Sequence, residues 1–566
     1  MYPSIEDPNF QKKISKKYTE YKIPPKKKTF DEICFPKEYN LQIPQKFVAE
    51  YINPNTPYKR ILIYHKIGGG KTCAAITIAE NFIPTLHPDR KIIVVLPAFL
   101  IGNFRNEIRS KCTGNRYISE KDRQILIDNK PTHPLYKSII DKSNQLIDQH
   151  YDIYSYNKFI DGILNRSIRL NNSLLIIDEI QNMVSENGVF YDILYKSVRK
   201  LIETNDNFRL VIMSATPIFD KPAELALTLN LLLPKPMPSG NDFYDEYLTS
   251  IKTPRGYEYY AKNMEEFKNQ IKGYISYYAG APSYVFPKSN IHIIKCKMSN
   301  LQLRMYSYIA HLERQDIDPI KSALTNRYYS GTRSCSNFAY PDITHYSEMQ
   351  NSDFILPKLK LYSCKYPKII SRVNNSNGTV FIYSNFKKMG GIQSLSRAFE
   401  MNGYSNYATS GEGPKRFAIW SGKESNSYKD LIRTIFNSKQ NKDGSMLKII
   451  FGTPAIREGV SLLRLQEIHI VEPYWNFSRI DQVIGRSVRF CSHADLPPNL
   501  RNVDVYIYLA VHPKLDTSVD QKIMNMAIEK KKISIQFERA LKEAAVDCEL
   551  FSNANITNND YYRCNV

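Results

Sequence analysis

No two of the nine cysteines in this chain stand in a CxxC pair, and no paired-histidine spacing accompanies them. That pattern excludes a zinc ribbon or finger, and the scatter of Cys34, Cys73, Cys112, Cys296 and Cys491 suits a reducing compartment with no structural zinc or other metal. Long apolar runs are absent too: the greasiest stretch, around residues 92–104, is interrupted by Pro97 and is too short to span a bilayer. The first residues are charged, so neither a signal peptide nor a membrane anchor is expected. Acidic residues are also in deficit. Fifty-six Asp and Glu face 77 Lys and Arg, a formal charge of +21 that attracts polyanions through counterion release and makes nucleic acid the leading partner. At 566 residues a single hydrophobic core is excluded, and two or more domains are expected.

Residues 1–30 carry the lysine clusters Lys12-Lys13, Lys16-Lys17 and Lys26-Lys27-Lys28 with Pro24 and Pro25, which reads as a flexible basic arm. From Lys59 the runs RILIYH, KIIVVLP, SLLIIDE and RLVIMSAT each end in a polar or small-residue loop, the pattern of buried parallel strands flanked by helices. This first α/β domain is expected over 31–235. Residues 236–290, rich in tyrosine, lysine and glutamate, read as a helical connector. A second strand series, GTVFIYS, KIIFGT, EIHIVEP and VDVYIYLA, predicts a second α/β domain over 291–515, with an insertion or lid at about 310–360. In the segment 516–566, the spacing of Ile533, Phe537, Leu541 and Ala544 predicts a long helix packed on the second domain.

The segment from His65 to Thr72 follows a strand and precedes a helix, the setting of a phosphate loop. Gly68, Gly69 and Gly70 let backbone N–H groups turn onto phosphate oxygens, Lys71 places a cation on the β and γ phosphates, and Thr72 offers magnesium a hydroxyl. His65 stands where the common pattern has glycine. About a hundred residues on, the strand Leu174–Ile177 leads into Asp178 and Glu179. Asp178 is expected to face the magnesium, and Glu179 to polarise the attacking water. ATP and Mg2+ are therefore the expected cofactors.

These motifs, with Ser214 and Thr216 after the strand RLVIM, resemble helicase superfamily 2, in which the latter pair couples hydrolysis to the nucleic-acid surface. Gly452-Thr453 and Arg457 to Leu462 resemble motif V, and Gln482 to Arg489, a QxxGRxxR string, resembles motif VI. The resemblance implies two tandem RecA-like domains and places Gln45, Glu458 and Gly459 with the nucleotide-binding residues and Gln482 with the catalytic ones. Arg489, with Arg486 beside it, is the implied arginine finger. Glu472-Pro473-Tyr474-Trp475-Asn476 is similar to the Snf2-like branch, which favours translocation on duplex DNA over strand separation. SATPIFDKPAELALTLNLLLP from Ser214, RSCSNFAYP from Arg333, FIYSNFKKMGG from Phe381 and LKEAAVDC from Leu541 resemble the helicases of large cytoplasmic DNA viruses, with the poxvirus nucleoside triphosphate phosphohydrolase I and the small subunit of the early transcription factor as the nearest types.

That likeness implies a DNA-dependent ATPase of viral transcription in the host cytoplasm and virion, with a viral RNA polymerase or transcription factors as partners. The alternatives are a promoter-binding initiation subunit and an RNA helicase, with RNA in place of DNA. Ile67 and Gln181 depart from residues common in the superfamily and bear on coupling and on DNA against RNA, not on hydrolysis. Nucleic acid is expected along strand-end loops at Pro97, Ser155, Asn157, Ser384, Asn385 and Thr453, through phosphate contacts.

Overall fold

The computed structural model describes all residues except 1, 26–27, 67, 130–132, 185–187, 254–255, 316–328, 342–348, 457–459, 557–559 and 565–566. The chain forms two compact units, Met1–Pro282 with Lys531–Val566, and Ser283–Lys530.

The first unit is built on β1 (Arg60–His65), β2 (Ile92–Leu96), β3 (Tyr151–Ser155), β4 (Leu174–Ile177) and β5 (Arg209–Met213), with a hairpin of β6 (Leu248–Thr253) and β7 (Gly256–Ala261) and a further strand β8 (Ile275–Tyr278). Its main sheet runs β3-β2-β4-β5-β1-β8, and every pairing in it is parallel. Alternate side chains of each strand enter opposite cores: Leu62, Val95, Ile177 and Ile212 face one, while Ile63, Val94, Ile176 and Val211 face the other. Helices cover both faces, which is why these strands read as continuous aliphatic runs and not as alternation.

The second unit holds β9 (Lys288–Lys297), β10 (Thr379–Tyr383), β11 (Ser405–Asn406), β12 (Arg416–Trp420), β13 (Ile449–Gly452), β14 (Leu465–Ile470) and β15 (Asn502–Val511). They form a second all-parallel sheet, β11-β12-β13-β10-β14-β15-β9, again between two cores. Two parallel sheets flanked by helices are the RecA-like plan expected from the sequence.

Three expectations about the parts between and around the sheets need correction. The basic arm is not loose where it is described. Phe10–Lys17 is a helix whose Phe10 and Ile14 are fully buried with Tyr18 against the first unit, while Lys12, Lys13, Lys16 and Lys17 stay exposed. An i, i+4, i+8 apolar stripe sits beneath the lysines, and its burial outweighs the charge pattern. The helical connector contains helices Gly240–Tyr247 and Met264–Ile271, but it also contains the β6–β7 hairpin and β8, the edge strand of the first sheet. The C-terminal helix, Val519–Glu543, packs on the second unit only in its first half, through Val519, Ile523 and Met524; the expected face of Phe537 and Leu541, with Ala544 just past the helix end, belongs to the first unit's core.

The cysteine reading also changes. Cys73 is bonded to Cys112 and Cys548 to Cys564 across sequence separations of 39 and 16, so their partners are set by the fold and not by a local motif. The expected insertion lies partly outside the described residues. In its described part, Cys335 and Phe338 belong to the second unit's core. Among the described residues, no helix is long and apolar enough to cross a membrane.

Candidate functional site

The phosphate loop leaves the end of β1, and helix Lys71–Phe82 begins directly after it. Gly70 caps that helix at φ +67, and a Cβ there would lie 2.2 Å from Gln45 Nε2, which donates to the Gly70 carbonyl at 3.2 Å. Gln45 thus lies against the loop. At Gly69 a Cβ would approach the Lys66 carbonyl oxygen to 3.0 Å and the His65 Cβ to 3.1 Å, so the turn is closed to larger residues. Gly68 also has positive φ, +83. Ile67 lies outside the described residues. Lys71 pairs with no carboxylate among the described residues, and the Thr72 hydroxyl makes no hydrogen bond there. A cation and a hydroxyl therefore stand uncommitted at a helix N-terminus, where backbone donors favour anions.

Register brings the acidic residues to the same edge. Leu62 of β1 pairs with Ile212 of β5, and Ile212 pairs with Ile177 of β4, so His65, Ser214 and Asp178 all lie at the carboxyl ends of adjacent parallel strands. This is where ligands bind in sheets of this kind. Asp178 is buried, its Oδ1 accepts the Glu179 N–H at 2.9 Å, and Tyr156 donates its hydroxyl to both backbone carbonyls, at 2.7 and 2.9 Å. Glu179, half-buried, sits at φ +51. Its Oε2 accepts from Gln181 Nε2 at 2.5 Å, and Gln181 Oε1 in turn accepts the Ser214 hydroxyl at 2.8 Å. The Ser214 oxygen also takes the Thr216 N–H at 3.0 Å. Gln181, a departure from the common histidine, joins the carboxylate to Ser214 and, through it, to Thr216. The spacing of Gln181 and Ser214 in the chain gives no sign of this link.

In the second unit, helix Phe477–Ile484 carries Gln482, and Arg486 and Arg489 follow it. Arg486 is buried and its carbonyl accepts the Leu462 N–H at 2.9 Å. Arg489 donates to the Gly485 carbonyl at 2.9 Å and to the Ser461 hydroxyl, and burial lowers its pKa. Motifs V and VI are thus tied together through Ser461. Glu458 and Gly459 lie outside the described residues.

The loop candidates for nucleic acid divide. Asn157 is exposed and Ser155 and Asn385 half-exposed, whereas Pro97, Ser384 and Thr453 are buried. Thr453 donates to the Trp420 carbonyl at 3.4 Å. Ser384 donates to both carboxylate oxygens of Glu472, at 3.1 and 3.0 Å, and the Asn385 N–H donates to Glu472 at 2.6 Å. Asn337 reaches the same carboxylate at 2.8 Å, and Arg333 donates to the Pro473 carbonyl at 3.2 Å with its guanidinium 5.0 Å from the Trp475 ring centroid. Two viral-type strings and the Snf2-like run from Glu472, far apart in the chain, therefore meet at one sealed carboxylate, and burial pushes its pKa up. Sequence spacing carried no signal of that meeting.

Fold and site together define a P-loop ATPase of two RecA-like units. The SNF2-related domain family matches residues 49–340. A protein of Acanthamoeba polyphaga mimivirus named "Putative ATP-dependent RNA helicase" is 50% identical over 98% of this chain and 97% of its own length, and a second of that name from the same virus is 28% identical over 97% and 79%. A "Termination factor NPH-I homolog" of African swine fever virus is 26% identical over 86% of this chain and 76% of its own length. The chain belongs to the SNF2-related family of superfamily 2 ATPases, in the type carried by large DNA viruses.

Proposed function

We propose that this protein is a nucleic-acid-dependent ATPase of viral transcription and that it works as a DNA translocase, in elongation, termination or transcript release. The observation that carries the reading is the chain from Glu179 through Gln181 to Ser214, because it gives the water-polarising carboxylate a physical path to the coupling residues. The relative named as a termination factor homolog supports the transcriptional setting. Thr72 and Asp178, a hydroxyl and a carboxylate at one sheet edge, suit a hard cation. Bound there, Mg2+ would neutralise charge on the β and γ phosphates. Lys71 holds the phosphates, Glu179 orients the attacking water, and Arg489 with Arg486 supplies positive charge to the γ phosphate in the transition state. A viral RNA polymerase or its factors are the proposed partners.

The names of the mimivirus relatives favour RNA helicase activity as the second reading. Turnover of ATP with duplex DNA, single-stranded DNA and RNA separates the two. Stimulation by duplex DNA, with displacement of a triplex strand but no unwinding, is the expected result, and stimulation by RNA alone overturns it. In the same assay Lys71→Ala, Glu179→Gln and Arg489→Ala are each expected to lower kcat by about a hundredfold or more. Near-normal rates in all three would remove the assignment.

A further inference from the structure

His65 ends β1 immediately before the phosphate loop, and its ring is completely buried. Nε2 lies 2.9 Å from the Ser276 hydroxyl on β8, and that hydroxyl is hydrogen-bonded to Asp547 Oδ2. Ser276 and Asp547 are themselves fully buried. Asp547 belongs to a segment that docks along β8: the Val546 N–H donates to the Ile275 carbonyl at 2.8 Å, Asn555 donates to the Tyr277 carbonyl at 2.9 Å, and the disulfide Cys548–Cys564 closes the segment. A residue near the chain's end is thus wired to the residue that opens the loop. None of the three participates in the ATPase site as described above.

The chain can run in two directions. With Asp547 ionised, Ser276 donates to Oδ2, so its oxygen accepts from His65 Nε2–H, and Nδ1 is left as a bare acceptor. With Asp547 protonated, the proton must sit on Oδ2, because Oδ1 accepts the Tyr277 N–H at 2.9 Å. Oδ2–H then donates to Ser276, Ser276 donates to Nε2, and the ring proton moves to Nδ1. One proton is taken up from solvent, and two hydrogen bonds reverse. Nδ1 is buried without a hydrogen-bond partner, beside the Gly69 backbone whose turn abuts the His65 side chain.

We propose that Ser276 and Asp547 are positioning residues for the phosphate loop, setting through this reversible chain whether His65 Nδ1 faces Gly69 as a donor or as a bare acceptor. The inference rests on the reading of Gly68 to Thr72 as the nucleotide site. Burial raises the Asp547 carboxyl to about 7, so both directions are populated near neutral pH. Burial and the nearby Lys71 hold the His65 ring down to about 3, so it stays neutral and changes only its tautomer. The other titratable groups facing Asp547 are the buried Tyr51 and Tyr562, neutral throughout this range.

Steady-state ATP hydrolysis by the full-length protein, at saturating nucleic acid from pH 6 to 8.5, tests the proposal. Wild type is expected to show a KM for ATP that changes around pH 7. Ser276→Ala raises KM about three- to tenfold, the worth of one buried hydrogen bond, and flattens its pH profile, with kcat less affected. Ser276→Thr, which keeps the hydroxyl, restores the profile. Asp547→Asn mimics the protonated acid and holds the low-pH KM throughout. Histidine-selective ¹⁵N spectra, with the His65 signal assigned by its loss in His65→Gln, report the tautomer directly. A Ser276→Ala profile superimposed on wild type, or one unchanging His65 tautomer, overturns the proposal. Lys71→Ala separates the two levels: if it is inactive while Ser276→Ala is normal, only the chain's role fails, and if it is active, the nucleotide-site reading fails first.

Discussion

Glu179 and Glu472 both stand just past strand ends, yet one is half-exposed and bonded to Gln181 while the other is fully enclosed by Asn337, Ser384 and Asn385. The first can meet a water molecule; the second organises a loop cluster. Glu472→Ala leaves several buried donors unpaired and is expected to cost about 3 kcal/mol or more, read as a lowered midpoint in denaturant unfolding. Gln181→Ala removes the link to Ser214 without touching the phosphate loop. Basal turnover is expected to survive while stimulation by nucleic acid falls about tenfold, measured as the ratio of the two rates. Asp547 gives a pH dependence of stability whose sign follows from its raised pKa, about 7. The native state holds a proton the unfolded chain has released, so stabilisation present below the unfolded pKa is lost as pH rises through 7, with a slope approaching about 1.4 kcal/mol per pH unit. Unfolding midpoints should decline from pH 4.5 to about 7 in wild type and level off above it, and decline less in Asp547→Asn.

Among the elements, the strands were legible because a parallel sheet covered on both faces forces uninterrupted aliphatic runs, and β1, β2, β4 and β5 all have them. β8, with the sequence ISYY, has no such run, and its place at the sheet edge depends on pairing with β1 and on the docked segment around Asp547. Helix Phe10–Lys17 was masked by its lysines, although Phe10 and Ile14 lie one turn apart on a single face. Phe10→Ala is expected to destabilise the first unit by about 3 to 5 kcal/mol and Lys12→Ala by less than about 0.5, compared by thermal unfolding. The loop before helix Lys71–Phe82 tolerates no side chain at Gly70, where positive φ and Gln45 both oppose it. Gly70→Ala should weaken ATP binding in an equilibrium titration more than it lowers the melting point.

For the whole molecule, a charge of +21 predicts association with nucleic acid that is steep in salt and nearly indifferent to sequence. If six to ten phosphates are contacted, raising salt from 50 to 200 mM should lower affinity by roughly 10³- to 10⁵-fold in an anisotropy titration. Strong preference for one promoter sequence would instead support the initiation-factor alternative. Residues close in the chain announced themselves without a structure: the glycines with Lys71 and Thr72, the Asp178-Glu179 pair and the QxxGRxxR string each lie within eight residues, so their spacing carries most of their geometry. Groups that act across long separations could not. Gln181 with Ser214, Glu472 with Asn337, and His65 with Ser276 and Asp547 meet only because strand order and docking bring distant segments together, and hydrogen bonds a few ångströms long leave no trace in linear spacing.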